Sequence, residues 1–302
     1  MKITVIIPTY NADSYLKTLL EKLKKQTVSF ELIIIDSSST DNTLDIARRY
    51  TENIISIPTH EFDHGGTRTK AAKTAHGDII VFLTQDSLPT SNETIQSLVH
   101  IFDTPLIAAT YGRQLAHKET SLFGKHLRQF NYPKNSSTRT LNDTKKYGIK
   151  TAFLSDSFAA YRKSSLENIG WFKDDLIVGE DTYAGAKLIL QGYAIHYNAK
   201  ATVYHSHSYT LSEEFKRYFD IGVFHQKEHW ILDRFGKAEG EGGKYVRSEF
   251  YYLLRQHAYH KIPEFFIRNG LKYIGYKFGQ HHKYISYSFV QRLSMHKSWW
   301  DK

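Results

Sequence analysis

Cysteine is absent from this sequence, which excludes a disulfide framework, a thiolate metal site and a cysteine nucleophile. The N-terminus lacks the pattern of a signal peptide, because Met1 and Lys2 lead directly into a short apolar run broken by Pro8. No stretch approaches the ~20 uninterrupted apolar residues that a membrane-spanning helix needs. We therefore expect a soluble or peripheral protein in the cytoplasm, with the inner face of the cell membrane as one alternative location.

Acidic residues are scarce in the last part of the chain. The 302 residues carry a formal net charge of +9, and residues 250–302 contain nine Lys or Arg against two acids, so this tail contributes +7. The tail is also rich in aromatic residues and includes Lys297-Ser298-Trp299-Trp300. This composition suits an anionic lipid surface, a nucleic acid or an anionic substrate. The alternative is a solvated helical appendage whose aromatic residues form a core of their own.

Strand and helix patterns alternate through the first part of the chain. Apolar runs predict strands at 2–8, 30–36, 54–57 and 79–83, and helices are predicted at 13–26, after the turn at 37–41 through Arg49, and at 67–76. Apolar strands without polar alternation imply a parallel sheet covered on both faces, and helix-length connections imply a doubly wound, mostly parallel α/β sheet. In such sheets, ligands bind beyond the carboxyl ends of the strands.

Polar side chains gather at these predicted strand ends. The first strand ends in Pro8-Thr9-Tyr10-Asn11, the second in Asp36-Ser37-Ser38 and the fourth in Thr84-Gln85-Asp86. Each group alone is typical of an ordinary turn or helix cap, but together they indicate the mouth of a site. Neither G-x-G-x-x-G after the first strand nor G-x-x-x-x-G-K-[ST] anywhere is present, so nicotinamide chemistry and ATP hydrolysis lose their best sequence support.

Four blocks in this order resemble the family 2 glycosyltransferases, which have the GT-A nucleotide-sugar fold. They are TVIIPTYN, ELIIIDSSSTDNT, GDIIVFLTQD and VGEDT, and the resemblance covers about the first 210 residues. The block from His60 to Arg68, followed by Thr84-Gln85-Asp86, is similar to the rhamnosyltransferase-type branch that builds bacterial surface polysaccharides from dTDP-L-rhamnose.

The resemblance implies a set of residues that hold the donor. The loop after the first strand and the Asp that ends the second would bind the base and ribose, and Arg68 at the start of the third helix would lie near the diphosphate. Asp156, in a strand–turn–strand pattern at 149–161, would contact the donor sugar or the acceptor. The implied donor-binding residues are Pro8, Thr9, Tyr10, Asn11, Asp36, Ser38, Arg68, Gln85, Asp86 and Asp156.

The resemblance also implies a divalent cation, Mg²⁺ or Mn²⁺, held by a D-x-D motif at the end of the fourth strand. Here Thr84 replaces the first Asp and only Asp86 remains, which predicts a weakly bound or dispensable ion. Two histidines follow the predicted strand 201–204 at positions i and i+2, where strand geometry would place them on one face. We take His205 as the second metal ligand, with a structural or phosphate-contacting role for it as the alternative.

Glu180 and Asp181 precede the predicted helix 182–191 and match the E-D motif that supplies the general base in the family that the sequence resembles. An inverting transfer requires a positioned carboxylate to accept the proton of the acceptor hydroxyl. We therefore expect Asp181 to be the catalytic base, with Glu180 as the second candidate; acids at a helix start are otherwise ordinary caps.

The chain is predicted to divide into a GT-A nucleotide-sugar transferase domain at 1–210 and a helical, aromatic-rich basic region at 211–302 that contacts a membrane surface or another protomer. Predicted helices at 211–235, 244–260, 263–275 and 283–296 surround a glycine-rich joint at 236–243.

Taken together, these features and the resemblance predict an inverting transferase that moves a sugar from a nucleotide-sugar donor to a saccharide acceptor. The resemblance alone implies that the sugar is L-rhamnose, from dTDP-L-rhamnose. A lipid-linked oligosaccharide is one form of that acceptor. The sequence leaves open whether the protein forms a homo-oligomer. A UDP-hexose-dependent transferase, a catalytically silent family member, and a non-catalytic nucleic-acid- or membrane-binding protein are the alternatives. Nucleic acid is the weakest of these, because it leaves the acidic strand ends unexplained.

Overall fold

The first strand divides its side chains between two hydrophobic cores. Val5 and Ile7 belong to one cluster of buried residues and Ile6 to another. Because successive side chains of a strand point to opposite faces, the sheet is covered on both sides. This arrangement, seen here in a computed structural model that describes residues 1–301, agrees with the predicted doubly wound sheet.

Nine strands within residues 1–301 form one mixed sheet. They are β1 (Ile3–Thr9), β2 (Glu31–Asp36), β3 (Ile54–Ser56), β4 (Ile79–Leu83), β5 (Leu88–Pro89), β6 (Ile107–Leu115), β7 (Ser137–Arg139), β8 (Phe158–Arg162) and β9 (Ala194–Tyr204). The helices are α1 (Asp13–Lys24), α2 (Thr43–Ala47), α3 (His64–Thr74), α4 (Thr94–Val99), α5 (Leu122–Asn131), α6 (Thr144–Tyr147), α7 (Lys163–Asn168), α8 (Glu180–Leu190), α9 (Leu211–Lys227), α10 (His229–Phe235), α11 (Ala238–Arg255), α12 (Ile262–Gln280) and α13 (Tyr287–Leu293).

The strand order is β3-β2-β1-β4-β8-β6-β9-β5, with β7 paired to β9. The first four strands are parallel, as predicted, whereas β8 runs antiparallel between β4 and β6. Strand β9 is parallel to β6. The carboxyl ends of β1, β2, β4 and β9 therefore lie at the same edge of the sheet as the start of β8.

Two sequence predictions about local structure are wrong. The predicted strand at 149–154 is instead a 3-10 turn, Gly148–Thr151, and the chain after it. There the Ala152 carbonyl lies so close to α8 that a Cβ built on Gly185 would approach it to 2.2 Å. The apolar residues of this segment cover the core and do not pair in the sheet.

The predicted glycine-rich joint at 236–243 is also wrong, because α11 begins at Ala238 and includes three of its glycines. Glycine weakens a helix interior by roughly 1 kcal/mol per residue relative to alanine. Side-chain pairs offset this cost: Glu239 meets Lys277 of α12 at 2.7 Å, and Glu241 meets Lys150 at 3.4 Å. Only Gly236, with φ of 104°, breaks the chain between α10 and α11.

The C-terminal helices share the core of the sheet. Phe219 and Phe224 of α9 belong to the same buried cluster as Ile6 and Phe82. The predicted division at residue 210 stays a prediction. Among the helices formed by residues 1–301, none combines the length and the apolar character needed to cross a bilayer.

Candidate active site

The predicted site residues lie along one edge of the sheet, as the strand directions require. Thr9 and Asp36 end β1 and β2, and Gln85 and Asp86 follow β4. Asp156 precedes β8 and His205 follows β9. The fold thus brings residues that are far apart in sequence to the opening of one site.

Asp36 holds the first two strand ends together. Its fully buried carboxylate accepts hydrogen bonds from the Thr9 hydroxyl at 2.9 Å and from the backbone and hydroxyl of Ser39 at 2.8 and 2.6 Å. The loops beside it are tightly formed, since Asn11 and Ser38 adopt positive φ of 47° and 59°. Asp36 positions these loops, and its predicted contact with a base would require its carboxylate to be uncovered.

Gln85 joins the end of β4 to the loop after β1. Its side-chain oxygen accepts a hydrogen bond from the Tyr10 backbone nitrogen at 2.9 Å, and its amide nitrogen donates to the Tyr10 carbonyl at 3.2 Å. The Tyr10 ring is about half exposed, free to stack on a planar base. Pro8 is half-buried beside it, within β1.

Asp86 faces two histidines across the mouth. Its Oδ2 lies 3.5 Å from Nε2 of His205 and 3.7 Å from Nε2 of His207. These three side chains each offer one ligand atom, and the three atoms lie within 4.8 Å of one another. Sequence reasoning paired Asp86 with His205 and left out His207, although the i, i+2 spacing of the histidines was the signal for it.

The tautomer of His205 is fixed by Gln114 of β6. Nδ1 of His205 lies 2.8 Å from the side-chain oxygen of Gln114, which also accepts a hydrogen bond from Arg128. Since a carbonyl oxygen only accepts, Nδ1 carries the proton and Nε2 keeps a lone pair directed at Asp86. Such an outer hydrogen bond is typical of metal-ligating histidines. No sequence pattern indicated Gln114.

The ionisation of this cluster suits a divalent cation. Burial would raise the pKa of Asp86, but the His205 ring, when protonated, and the Thr84 side chain hold it well below its usual range, so the carboxylate is charged. Burial lowers the pKa of His205, and burial together with His205 lowers that of His207 to about 4, so both rings are neutral near pH 7. One carboxylate and two neutral imidazoles fit Mn²⁺ better than Mg²⁺.

A second charged group lies beside the start of α8. The buried guanidinium of Arg68 contacts Glu180 at 3.1 Å and Asp156 at 3.4 Å. Burial would raise the pKa of Glu180, but Arg68 and His64 hold it below its usual range. Burial raises the pKa of Asp156 well above its usual range, and the Tyr161 hydroxyl donates to its carboxyl at 2.6 Å. Arg68 is therefore paired with Glu180 and lies beside the Asp156 carboxyl, and its predicted role at a diphosphate stays a prediction.

Asp181 lies next to this group, but its neighbours offset less of the cost of burying its negative charge. Its carboxylate accepts hydrogen bonds from the Thr182 backbone at 2.6 Å and the Asp156 backbone at 3.4 Å. Burial, reinforced by the charge of Glu180, raises the pKa of Asp181 to about 7. A general base works best with a pKa near the operating pH, so Asp181 has the proton affinity that the predicted role needs.

The block around Gly65 and Gly66 joins α3 to the chain that leads into α8. The Asp63 carboxylate accepts hydrogen bonds from the backbone of Gly65, Gly66 and Asp175 at 3.0, 2.7 and 3.0 Å. This cap starts α3 at His64, three residues before the predicted start, so Arg68 lies in the second turn of the helix. The block thus fixes the position of Arg68 relative to Glu180.

Comparison with known proteins shows the family to which this chain belongs. The family model described as glycosyl transferase family 2 matches residues 4–170. The O-antigen chain rhamnosyltransferase RfbN of Salmonella typhimurium is 45% identical over 100% of this chain and 96% of its own length. The O-antigen chain rhamnosyltransferase WbaN of Salmonella anatum is 44% identical over 99% of this chain and 95% of its own length.

Solved structures share the fold at low sequence identity. The mannosyltransferase PcManGT from Pyrobaculum calidifontis, in complex with GDP-Man and Mn²⁺, has a TM-score of 0.62 at 18% identity and covers 100% of this chain and 88% of its own. Residues 1–349 of S. aureus TarS, in complex with UDP-GlcNAc, have a TM-score of 0.56 at 19% identity and cover 94% and 91%. The likeness extends through the C-terminal helices.

Proposed function

Because this chain is a glycosyltransferase that belongs to glycosyl transferase family 2, we propose that it transfers L-rhamnose from dTDP-L-rhamnose, with inversion, to a hydroxyl of a growing bacterial surface polysaccharide. The full-length similarity to two O-antigen chain rhamnosyltransferases supports this donor and acceptor class. A lipid-linked oligosaccharide is the form of acceptor that we propose.

The observation that carries the mechanism is Asp181, with a pKa of about 7, at the same sheet edge as the Asp86, His205 and His207 cluster. The Asp181 carboxylate accepts the acceptor hydroxyl proton while that oxygen bonds to the anomeric carbon. The bond from this carbon to the diphosphate oxygen breaks, and its electron pair leaves with dTDP. Arg68 holds Glu180 ionised beside Asp181.

The donor is bound by the loops at the ends of β1, β2 and β4. Tyr10 stacks on the thymine base, and Asn11 and Ser38 line the ribose. Asp86, His205 and His207 would hold Mn²⁺ or Mg²⁺, which when bound supplies positive charge opposite the departing diphosphate.

A nucleic-acid-binding role has less support. It would require the cations of the tail to line an open groove. Arg268 and Lys272 are instead buried in ion pairs with Glu214, at 3.0 and 3.5 Å. Two of the nine cations of the tail are therefore committed within the protein.

Nucleotide binding tests the proposal. Thermal stability is measured with dTDP, UDP and GDP, with and without Mn²⁺, on wild type and Asp86→Ala. We expect dTDP to raise the melting temperature most, Mn²⁺ to increase that rise, and Asp86→Ala to lose the Mn²⁺-dependent part. A larger rise with UDP would replace rhamnose by a UDP-hexose donor, and no rise with any nucleotide would contradict the transferase assignment.

A further inference from the structure

Helix α12 buries two cations and exposes five large apolar side chains. Its buried positions include two cations, Arg268 and Lys272. Its exposed positions carry five large apolar side chains, which we call the α12 stripe: Phe266, Ile267, Tyr273, Ile274 and Phe278, exposed by 64, 53, 59, 45 and 45%. A surface helix of a globular protein normally has the opposite arrangement.

The rotation of α12 is fixed by its partners. Arg268 and Lys272 pair with Glu214 of α9, and Lys272 also lies 3.9 Å from Glu249 of α11. The helix packs so closely on α9 that a Cβ on Gly275 or Gly279 would lie 2.5 or 2.0 Å from a carbonyl oxygen of that helix. The stripe cannot turn inward without leaving buried charges unpaired.

The stripe belongs to a wider apolar surface. A groove of about 750 Å³ lies between α11 and α12 and is lined by Val246, Phe250, Tyr251, Phe266 and Tyr273, among others. Exposed aromatic side chains continue beyond both ends of α12, at Tyr259 and Tyr284. Contiguous exposed apolar area of this kind marks a surface that binds a partner.

Cations border this apolar surface. Exposed Arg255 lies before α12 and exposed Lys283 lies after it, whereas Lys261 is paired with Glu264 at 2.9 Å. The segment 250–302 carries a charge of +7, and although Arg268 and Lys272 are paired with Glu214 inside the protein, Arg255 and Lys283 remain exposed. An anionic surface complements this charge, whereas a second copy of the chain would bring a like charge against it.

We propose that the α12 stripe docks on a bilayer that contains acidic phospholipid, with α12 lying in the plane of the interface. Apolar side chains enter the boundary between headgroups and acyl chains, and the flanking cations pair with lipid phosphates. None of the predicted site residues belongs to this surface. The idea that docking brings the enzyme to a lipid-linked acceptor rests on the proposed function. The docking itself does not depend on it.

Vesicle sedimentation tests this surface without any transfer reaction. The full chain is mixed with vesicles of phosphatidylcholine alone or with about one third phosphatidylglycerol. The variant Phe266→Ser/Ile267→Ser removes two side chains of the stripe. Its matched control is Leu106→Ser/Leu141→Ser, which removes two similarly exposed side chains, 50 and 45%, outside the C-terminal region. Unchanged melting temperatures establish that both variants are folded.

We expect wild type and control to bind the acidic vesicles, and the stripe variant to bind at least about tenfold more weakly. The variant Arg255→Glu/Lys283→Glu is expected to lose the preference for acidic over neutral vesicles. Failure of wild type to bind acidic vesicles, or equal binding by the stripe variant, would overturn the proposal. A wild-type dimer that the stripe variant converts to monomer, without vesicle binding, would assign the surface to a second copy. Nucleotide-induced stabilisation, measured on the same samples, reports separately on the proposed function.

Discussion

His205 and His207 bring their Nε2 atoms within 3.1 Å of each other, and both face the same carboxylate oxygen of Asp86. Close lone pairs repel unless a proton or a cation lies between them. We therefore expect His207→Ala to weaken Mn²⁺ binding about tenfold or more, as His205→Ala does. Titration calorimetry with Mn²⁺ measures the affinity. His229→Ala, which removes a largely exposed histidine elsewhere, is the control, and equal affinity in His207→Ala would remove this residue from the metal site.

Activity should depend on pH through Asp181. The base must be ionised, and its pKa is raised to about 7, so kcat should fall as the pH drops below about 7 and approach a tenfold loss per pH unit. The negative charge of Glu180 contributes to the raised pKa. Glu180→Gln should therefore move the acid limb of the pH profile to lower pH. A limb that stays in place or moves to higher pH would show that Asp181 does not set it.

Gln85 should affect binding more than turnover. Its side chain holds both backbone polar groups of Tyr10, and Gln85→Ala frees the loop that we propose to carry the base. We expect KM for the donor to rise about tenfold with kcat within about twofold, because a lost uniform binding interaction acts on KM alone. Gln85→Glu keeps the acceptor but not the donor, so an intermediate KM is expected. A loss confined to kcat would contradict this role.

Alanine substitutions at the neighbouring residues Gly65 and Gly66 should change the free energy of unfolding by different amounts. A Cβ on Gly65 would meet the Lys173 carbonyl oxygen at 2.0 Å, whereas one on Gly66 would meet Asp63 Oδ1 at 3.3 Å. Gly65→Ala should lower the free energy of unfolding by about 2 kcal/mol or more, through a forced shift between α3 and the chain before α8. Gly66→Ala is the control and should change it by less than about 1 kcal/mol. Urea denaturation compares them, and equal stabilities would contradict the close packing.

The sequence predicted which residues lie at the edge of the sheet better than it predicted the side-chain contacts between them. Apolar strands and polar ends are local features, so Asp36 and Asp86 could be named from the sequence pattern, whereas Asp181 was named from the resemblance to the family 2 glycosyltransferases. Gln114 could not, because it lies within β6 and acts through a hydrogen bond to His205, 91 residues away. The pairing of Arg68 with Glu180, beside Asp156, likewise depends on how α3 packs against α8.

Helix predictions from composition were wrong where contacts with other elements decide the conformation of the chain. Four glycines in 236–243 are typical of a joint, yet ion pairs with Lys277 and Lys150 accompany a helix from Ala238. The stripe of α12 was also hidden, because the sequence of this helix does not show which of its faces is buried. The ion pairs of Arg268 and Lys272 with α9 and α11, together with the close packing of Gly275 and Gly279 on α9, decide that.

Transfer by Asp181→Asn tests the central claim most directly. The substitution keeps the shape of the side chain and removes its basicity. A carboxyl whose pKa is raised from 3.8 to about 7 favours the folded state below pH 4 and loses that contribution as the pH rises through 7. Near pH 8 its removal therefore offsets the loss of one acceptor, opposite the backbone of Thr182 or Asp156, and an unchanged melting temperature establishes that the variant is folded. Rhamnose transfer from dTDP-L-rhamnose to a saccharide acceptor is measured beside dTDP-induced stabilisation. We predict that stabilisation by dTDP is retained while transfer falls at least about a hundredfold. Transfer at the wild-type rate would contradict the assignment of Asp181 as the base.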